Sequence, residues 1–387
     1  VLTSLAGCSS SGQTTGQAAP AVPAPGSSSA TPAAPSTSPT ATPVVAGIPA
    51  LVDAHDVYAA DRPGLLAPEA RKARSLIYVP DDDDATVHVI DPVTYKVLRV
   101  EKVGLLPQHV TPSYDLKTLW VDNDAGNTLT PIDPRTGRFG RPVPVEDPYN
   151  LYFTADGKHA VVVAEKLGRL DFRDPHTMAL QHTLNVPCSG IDHADFSPDG
   201  THALFSCEFS GQMVWVDMQD QKVVRTLTLP RQNGSRPKPQ DVKISPDGKV
   251  FYVADENSNG VFLIDAATLK VLSFLPTGLG AHGLYPSRDS KDLYITNRKG
   301  SSVSVLSFAT RQVRTVWRIP GSSPDMGGLN AAGTVLWLSG RYTREVYAIR
   351  TSDGHLLARI PVGGSPHGLC VWPQPGRYSL GHTGVLR

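Results

Sequence analysis

One phrase in the chain comes back. Residues 195–217 read DFSPDGTHALFSCEFSGQMVWVD, and residues 243–265 read KISPDGKVFYVADENSNGVFLID. Ser197-Pro198-Asp199-Gly200 spells a tight turn. Proline pre-sets φ at the second turn position and glycine suits the fourth. The apolar HALFSC follows, then the polar loop EFSGQ, then the alternating MVWVD, then a second turn into KVVRTLTLP. The pattern is four short strands with no helical period. A sheet of four such strands cannot bury both its faces, so neighbouring copies must cover it.

More copies exist. Equivalents of the Ser197 position fall at Ser113, Thr154, Ser245, Ser287 and Asn330, so successive anchors are 41, 43, 48, 42 and 43 residues apart. The long interval holds an insertion, RQNGSRPKP, at 231–239. The second turn recurs as Asp91-Pro92, Asp133-Pro134, Asp174-Pro175 and Asp265-Ala266. A four-strand repeat with a period near forty is the signature of a propeller blade. Six full repeats run from about 105 to 365. Two remnants complement each other: SPHGLCVWPQPG (365–376) as an innermost strand, and residues 76–104 as the other three. Joined, they make a seventh blade and leave few free sheet edges. The expected fold is all-β: a seven-bladed β-propeller over about 76–376, closed by N- and C-terminal strands in one blade. The stretch RYSLGHTG (377–384) is expected to cross the bottom or side of the ring as a tail.

The segments FYVADENSNGVFLIDAATLKVL and LYITNRKGSSVSVL, with the SPDGK turns, resemble the YVTN-type β-propeller repeats of bacterial surface and periplasmic proteins. The resemblance covers about residues 76–376. It implies the propeller fold and an extracytoplasmic setting. It implies no single activity, because that family includes surface-layer proteins and relatives of lactonases. No Gly-His…Trp-Asp pair recurs, which argues against a WD-type repeat.

The first residues bear on location. Leu5-Ala6-Gly7-Cys8 resembles a bacterial lipobox, so Cys8 is the expected lipidation site, with residues 1–8 a signal remnant whose apolar core lies upstream. Residues 9–50 are rich in Ser, Thr, Pro, Ala and Gly, a composition that cannot repay its ordering entropy. They read as a disordered tether, partly extended by proline. Residues 51–75 regain apolar character and are expected to pack on the propeller, which occupies 76–387. The chain thus reads as an extracytoplasmic lipoprotein held at the cell membrane. Of the other cysteines, Cys188 and Cys207 fall on one face of one blade and form a candidate disulfide, the alternative being two separate thiols. Cys370, in the closing strand, is expected to be buried.

Propellers usually bind on the face that carries the loops into the innermost strands. The repeat alignment collects those positions. One register holds Gln108, Tyr149, Asp192, Gln240, His282, Asp325 and His367. The next holds His109, Asn150, His193, Asp241, Gly283, Met326 and Gly368. The loop after each second strand supplies Asp124, Glu165, Glu208, Glu256, Arg298 and Arg341 in order, so the rim reads as an acidic half beside a basic half. The candidate ligand-binding set is His109, Asp192, His193, Asp241, His282 and His367, flanked by Glu208, Glu256, Arg298 and Arg341. Opposed charges suit a ligand with both a cationic and an anionic group, or a peptide segment. Solvated loops paired among themselves are the plain alternative.

Three functions fit these residues. The first is a binding or scaffolding module that recognises a protein, peptide or small molecule on its top face. The second is a lactonase-like hydrolase with a His base and an Arg oxyanion partner. The third is a metal site drawing on His109, His193, Asp192 or Glu208. No Gly-x-Ser-x-Gly elbow and no phosphate loop occurs, so the residues favour binding over catalysis, with no cofactor required. Lys+Arg and Asp+Glu each number 36, which removes the global field that nucleic-acid binding needs. No apolar run is long enough to span a bilayer. The chain is expected to act as a monomer.

Overall fold

The computed structural model describes Gln13 and residues 45–387. The lipobox with Cys8, and nearly all of the 9–50 segment apart from Gln13 and residues 45–50, lie outside the described residues. The rest is a closed ring of seven antiparallel sheets. In the first blade Cys370–Trp372 is innermost, followed outward by Leu76–Asp81, Thr86–Asp91 and Lys96–Lys102. Tyr78 pairs with Cys370 and Leu76 with Trp372, so the two ends of the ring are clasped in one sheet. The innermost strands of the second to seventh blades are Pro107–Pro112, Asn150–Phe153, Ile191–Phe196, Pro239–Ile244, Ala281–Pro286 and Pro324–Leu329. The second blade is irregular at its outer edge, where two short strands, Arg138–Phe139 and Val143–Pro144, share one neighbour.

The repeated turn explains itself in its hydrogen bonds. Ser197 Oγ donates to Asp199 Oδ1 (2.6 Å), the His202 N–H donates to Ser197 Oγ (3.0 Å), and the Gly200 N–H donates to the Ser197 carbonyl (2.8 Å). Gly200 has φ +69°, and a Cβ there would meet Ala155 of the preceding blade at 2.5 Å. Ser245, Asp247 and Val250 repeat the first two bonds. The phrase SPDG is therefore a self-satisfied turn that also lets adjacent blades approach.

Seven apolar clusters hold the ring, one at each blade interface. Between the fourth and fifth blades, for example, Leu204 and Met213 meet Val242, Phe251 and Val253. Each fully buried aliphatic or aromatic side chain there is worth about 1.5–3 kcal/mol relative to exposure. Blade-to-blade latches add polar registration. The Ala194 N–H donates to Tyr152 Oη, the Ile244 N–H to Asp195 Oδ2, the Leu284 N–H to Asp241 Oδ2, and the Gly327 N–H to Tyr285 Oη.

The tail departs from the sequence expectation. Residues 377–387 neither skirt the bottom nor run along the side. They enter the channel from the turn-side face as a small hairpin, Ser379–Gly381 with Val385–Leu386. Gly381 pairs with Tyr152 on the innermost strand of the third blade. Two features account for this path. Gly381 and Gly384 take φ of +109° and +137°, which suits glycine at a sharp reversal. Tyr378, Leu380, Val385 and Leu386 are buried among inter-blade residues. Residues 45–75 lie against the same turn-side face: the Val57 N–H donates to the Pro246 carbonyl, and Tyr58 Oη donates to the Ile244 carbonyl at 2.7 Å. They include two single-turn helices, Ala59–Asp61 and Ala70–Lys72, and no described helix is long and apolar enough to cross a membrane.

Candidate ligand site at the channel mouth

The innermost strands carry a common distortion. Ile191 pairs with Cys207 and Ala194 with Phe205, so three steps on the inner strand match two on its partner. The same slip separates Pro239 from Val242, Ala281 from Leu284, and Pro324 from Gly327. A shorter one lies between Pro107 and His109. A bulge breaks the alternation of side chains and re-aims those within it. The residues inside these bulges belong to the two registers collected from the repeat.

Five histidines meet on the axis. The ring centre of His109 is 5.5 Å from that of His193, 5.1 Å from His367 and 5.0 Å from His382. His193 and His382 are 4.8 Å apart, and His282 and His367 are 5.8 Å apart. All five are buried. His282 and His367 also line an open recess of about 270 Å³, together with Gln108, Tyr149, Gln240, Glu208, Lys238, Arg298, Arg341 and Tyr342. The site thus has two levels: a polar mouth, and a buried histidine group below it.

Asp325 organises the mouth. Its Oδ2 accepts from His367 Nδ1 at 2.9 Å, and its Oδ1 lies 3.0 Å from His282 Nδ1 and 3.3 Å from Arg298 Nη1. Burial, with Arg341 next for His367 and Arg298 next for His282, holds both imidazoles well below their ordinary range. Burial would raise Asp325, but His282 and the two guanidinium groups bring it below the usual carboxylate value.

From Glu208 round to Arg341 the rim charges do not stand as opposed halves. They pair across blades, because adjacent loops bring opposite signs within reach. Glu208 meets Lys238 at 2.7 Å, and Lys238 meets Glu256 at 3.0 Å. Glu256 meets Arg298 at 2.6 Å and Lys299 at 2.5 Å. Burial alone would raise Glu256, yet Arg298 and the two lysines hold it at about 2. Arg341 Nη2 meets Asp82 at 2.7 Å. Asp241 is buried but lies outside the recess, with Oδ1 on Lys243 Nζ at 2.9 Å and Oδ2 on the Leu284 N–H. Asp192 also lies below the mouth, its Oδ1 2.5 Å from His193 Nδ1. Of the candidate set, then, His282, His367, Glu208, Arg298 and Arg341 line the recess, while Glu256 is buried behind Arg298.

His109 lies one level down. Its Nδ1 contacts the Tyr149 carbonyl at 2.9 Å, and burial, reinforced by His193, brings the imidazole down to about 3. His193 goes the other way: burial opposes its cation, but Asp192 more than offsets this and raises it. His382 escaped the repeat-based reading because it belongs to no repeat. Asp325 stood in the collected register but without a charge partner visible in sequence. Near the same face, Cys188 and Cys207 are joined by a disulfide, with Cα atoms 6.1 Å apart, and Cys370 is a buried free thiol.

A closed seven-bladed ring, stoppered at one end and polar at the other, defines a propeller with a blind axial well. The chain belongs to the YNCE-like beta-propeller family, whose family model matches residues 44–375. It is 23% identical over 288 residues to the protein YncE of Salmonella typhi, covering 70% of this chain and 80% of that protein. Among solved structures it is similar to Kuenenia stuttgartiensis hydrazine synthase, with 20% identity, a TM-score of 0.61, and 76% of this chain and 97% of that one covered. It is also similar to a putative 6-phosphogluconolactonase from Bacteroides uniformis, with 16% identity, a TM-score of 0.62, and 76% and 98% covered. At these identities the two structures speak to the fold alone.

Proposed function

We propose that this chain is an exported, membrane-tethered propeller that binds a small polar ligand, or a side chain of a partner protein or peptide, at the channel mouth and top-face loops. Cys8 is the anchor in this reading, the 9–50 segment is the tether up to about residue 44, with residues 45–50 already packed on the propeller, and the propeller acts as a single copy. The supporting observation is the mouth recess, rimmed by hydrogen-bonding groups and closed beneath by histidines and the hairpin. At about 270 Å³ it is near the small end of ligand pockets. Because Arg298 and Arg341 already have carboxylate partners, the ligand is recognised by hydrogen bonds to ion-paired groups more than by net charge. The disulfide is in keeping with an oxidising compartment.

The test is a thermal-shift screen of polar metabolites and short peptides, followed by calorimetry on hits. The double variant His282→Ala/His367→Ala is expected to lose about tenfold or more in affinity, the effect of ~1.4 kcal/mol. Unchanged affinity for every hit overturns the mouth as the site. Cys8→Ser, in a chain carrying its upstream signal, is expected to leave the membrane fraction after a high-salt wash. Retention there overturns the anchor.

One observation favours a second reading as a hydrolase. Two neutral imidazoles share one carboxylate, with a guanidinium at 3.3 Å from it. An oriented His could take a proton from water while Arg298 stabilises an oxyanion. A lactone and ester panel, with Asp325→Asn as the comparison, decides it: turnover lost in the variant supports the hydrolase, and no turnover by the unmodified protein removes it.

A further inference from the structure

Below the mouth, three imidazoles from distant parts of the chain each bring one ring nitrogen close to the other two. His109 comes from the second blade, His193 from the fourth, and His382 from the tip of the hairpin. One ring nitrogen of each lies within 4.8 Å of the other two. All three residues are essentially inaccessible, with exposures of 0%, 0% and 1%. None of the three Nε2 atoms has a hydrogen-bond partner among the described residues. A buried polar atom without a partner costs roughly 1–3 kcal/mol, and each of these three rings carries one.

The other nitrogen of each ring faces a polar group. The Tyr149 carbonyl, 2.9 Å from His109 Nδ1, can only accept, so Nδ1 carries the proton and the neutral ring keeps its lone pair on Nε2. The Asp192 carboxylate, 2.5 Å from His193 Nδ1, can only accept, so Nδ1 carries a proton there too, and a metal ion at Nε2 displaces the second proton of the imidazolium. His382 Nδ1 lies 3.2 Å from Asn150 Nδ2 and 3.4 Å from its Oδ1. A carbonyl, a carboxylate and an amide behind three imidazoles is the outer shell that metal-ligating histidines usually have.

We propose that His109, His193 and His382 bind one divalent first-row transition-metal ion through their Nε2 atoms, and that this ion fastens the C-terminal hairpin into the channel. All-nitrogen ligation selects ions of the zinc or copper kind over calcium and magnesium, which take oxygen. A four-coordinate zinc ion keeps its nitrogen donors about 2.0–2.1 Å away, so binding draws the three rings inward. Three protein donors leave one position for water or a ligand. The site does not depend on the mouth's ligand, and the two can fail separately.

The experiment uses the whole chain, stripped with a chelator and dialysed. Calorimetric titrations with zinc(II), copper(II) and calcium(II) are expected to show one zinc or copper ion per chain and no calcium. Cobalt(II) is expected to give the visible absorption of a nitrogen-ligated, low-symmetry ion. Asn150→Ala is expected to weaken zinc binding by about 10–100-fold, the usual cost of an outer-shell partner. His382→Gln, which keeps an amide toward Asn150, is expected to lose more than that, while His355→Ala, at an exposed site, binds as the unmodified protein does. Ion binding is expected to raise the melting temperature and shield residues 377–387 from protease. Absence of zinc and copper binding together with a featureless cobalt spectrum overturns the proposal. So does equal zinc affinity in folded His382→Gln. If that variant does not fold, the cobalt spectrum of the unmodified chain decides.

Discussion

Arg387 Nη2 lies 2.7 Å from Asp195 Oδ1, across 192 residues of sequence, and both side chains are buried. The same carboxylate accepts the Ile244 N–H through Oδ2 at 2.9 Å. One acid therefore ties the hairpin to the fourth blade and the fourth blade to the fifth.

Removing that acid leaves a buried cation without its contact partner. Asp195→Ala is expected to destabilise the protein by roughly 3–5 kcal/mol, read from urea unfolding. Arg387→Met, which keeps apolar bulk, is expected to cost markedly less. Equal losses would mean that packing, and not charge, holds this contact.

Two truncations separate the plug from the clasp. Deleting residues 377–387 leaves Cys370–Trp372 paired with Leu76–Tyr78 but opens the channel and strips the hairpin's contacts from the seams it packs against. Deleting 366–387 removes the clasp as well. Limited proteolysis is expected to cut the second protein much faster within the first blade. Matching digestion rates would mean that the ring does not depend on that strand for closure.

Glu165 provides a pH test. Burial, then Asp192 and Glu208, push its carboxyl up to about 9. The folded state thus holds a proton between about pH 4.5 and 9 that the unfolded state gives up, so this group subtracts stability as pH rises through that window. Glu165→Gln is expected to raise the melting temperature at pH 8 and to raise it less at pH 5. An advantage independent of pH would rule out the raised carboxyl as its cause.

The Cys188–Cys207 bridge closes a loop with a sequence separation of 19. Chain-entropy arguments put its worth at about 3 kcal/mol. Cys188→Ser/Cys207→Ser is expected to lower the urea midpoint by the corresponding amount. No change on reduction of the unmodified protein would contradict it.

What the repeat could disclose was position around a ring. It brought His109, His193, His282 and His367 to one axis because equivalent sites in a closed ring face the same centre. The bulges were invisible, since an extra residue in an inner strand leaves no mark on period or hydropathy. Charge pairing was invisible for another reason. Glu256 finds Arg298 on the next blade, a contact set by loop reach and not by order along the chain. His382 was the largest omission. It lies outside every repeat, and only the glycines at 381 and 384 hinted that the segment turns back on itself.

The hairpin touches more of the ring than its length suggests. Tyr378 and Leu380 pack at the seam between the third and fourth blades, and Leu386 at the seam between the first and second. Thr383 Oγ1 donates to the Gly327 carbonyl on the seventh blade. A wheel of seven wedges can breathe at any one seam with little resistance from the others. An axle gripping several wedges makes those seams yield together or not at all. Because this axle grows directly out of the clasp strand, closure of the ring and locking of its centre belong to one continuous piece of chain.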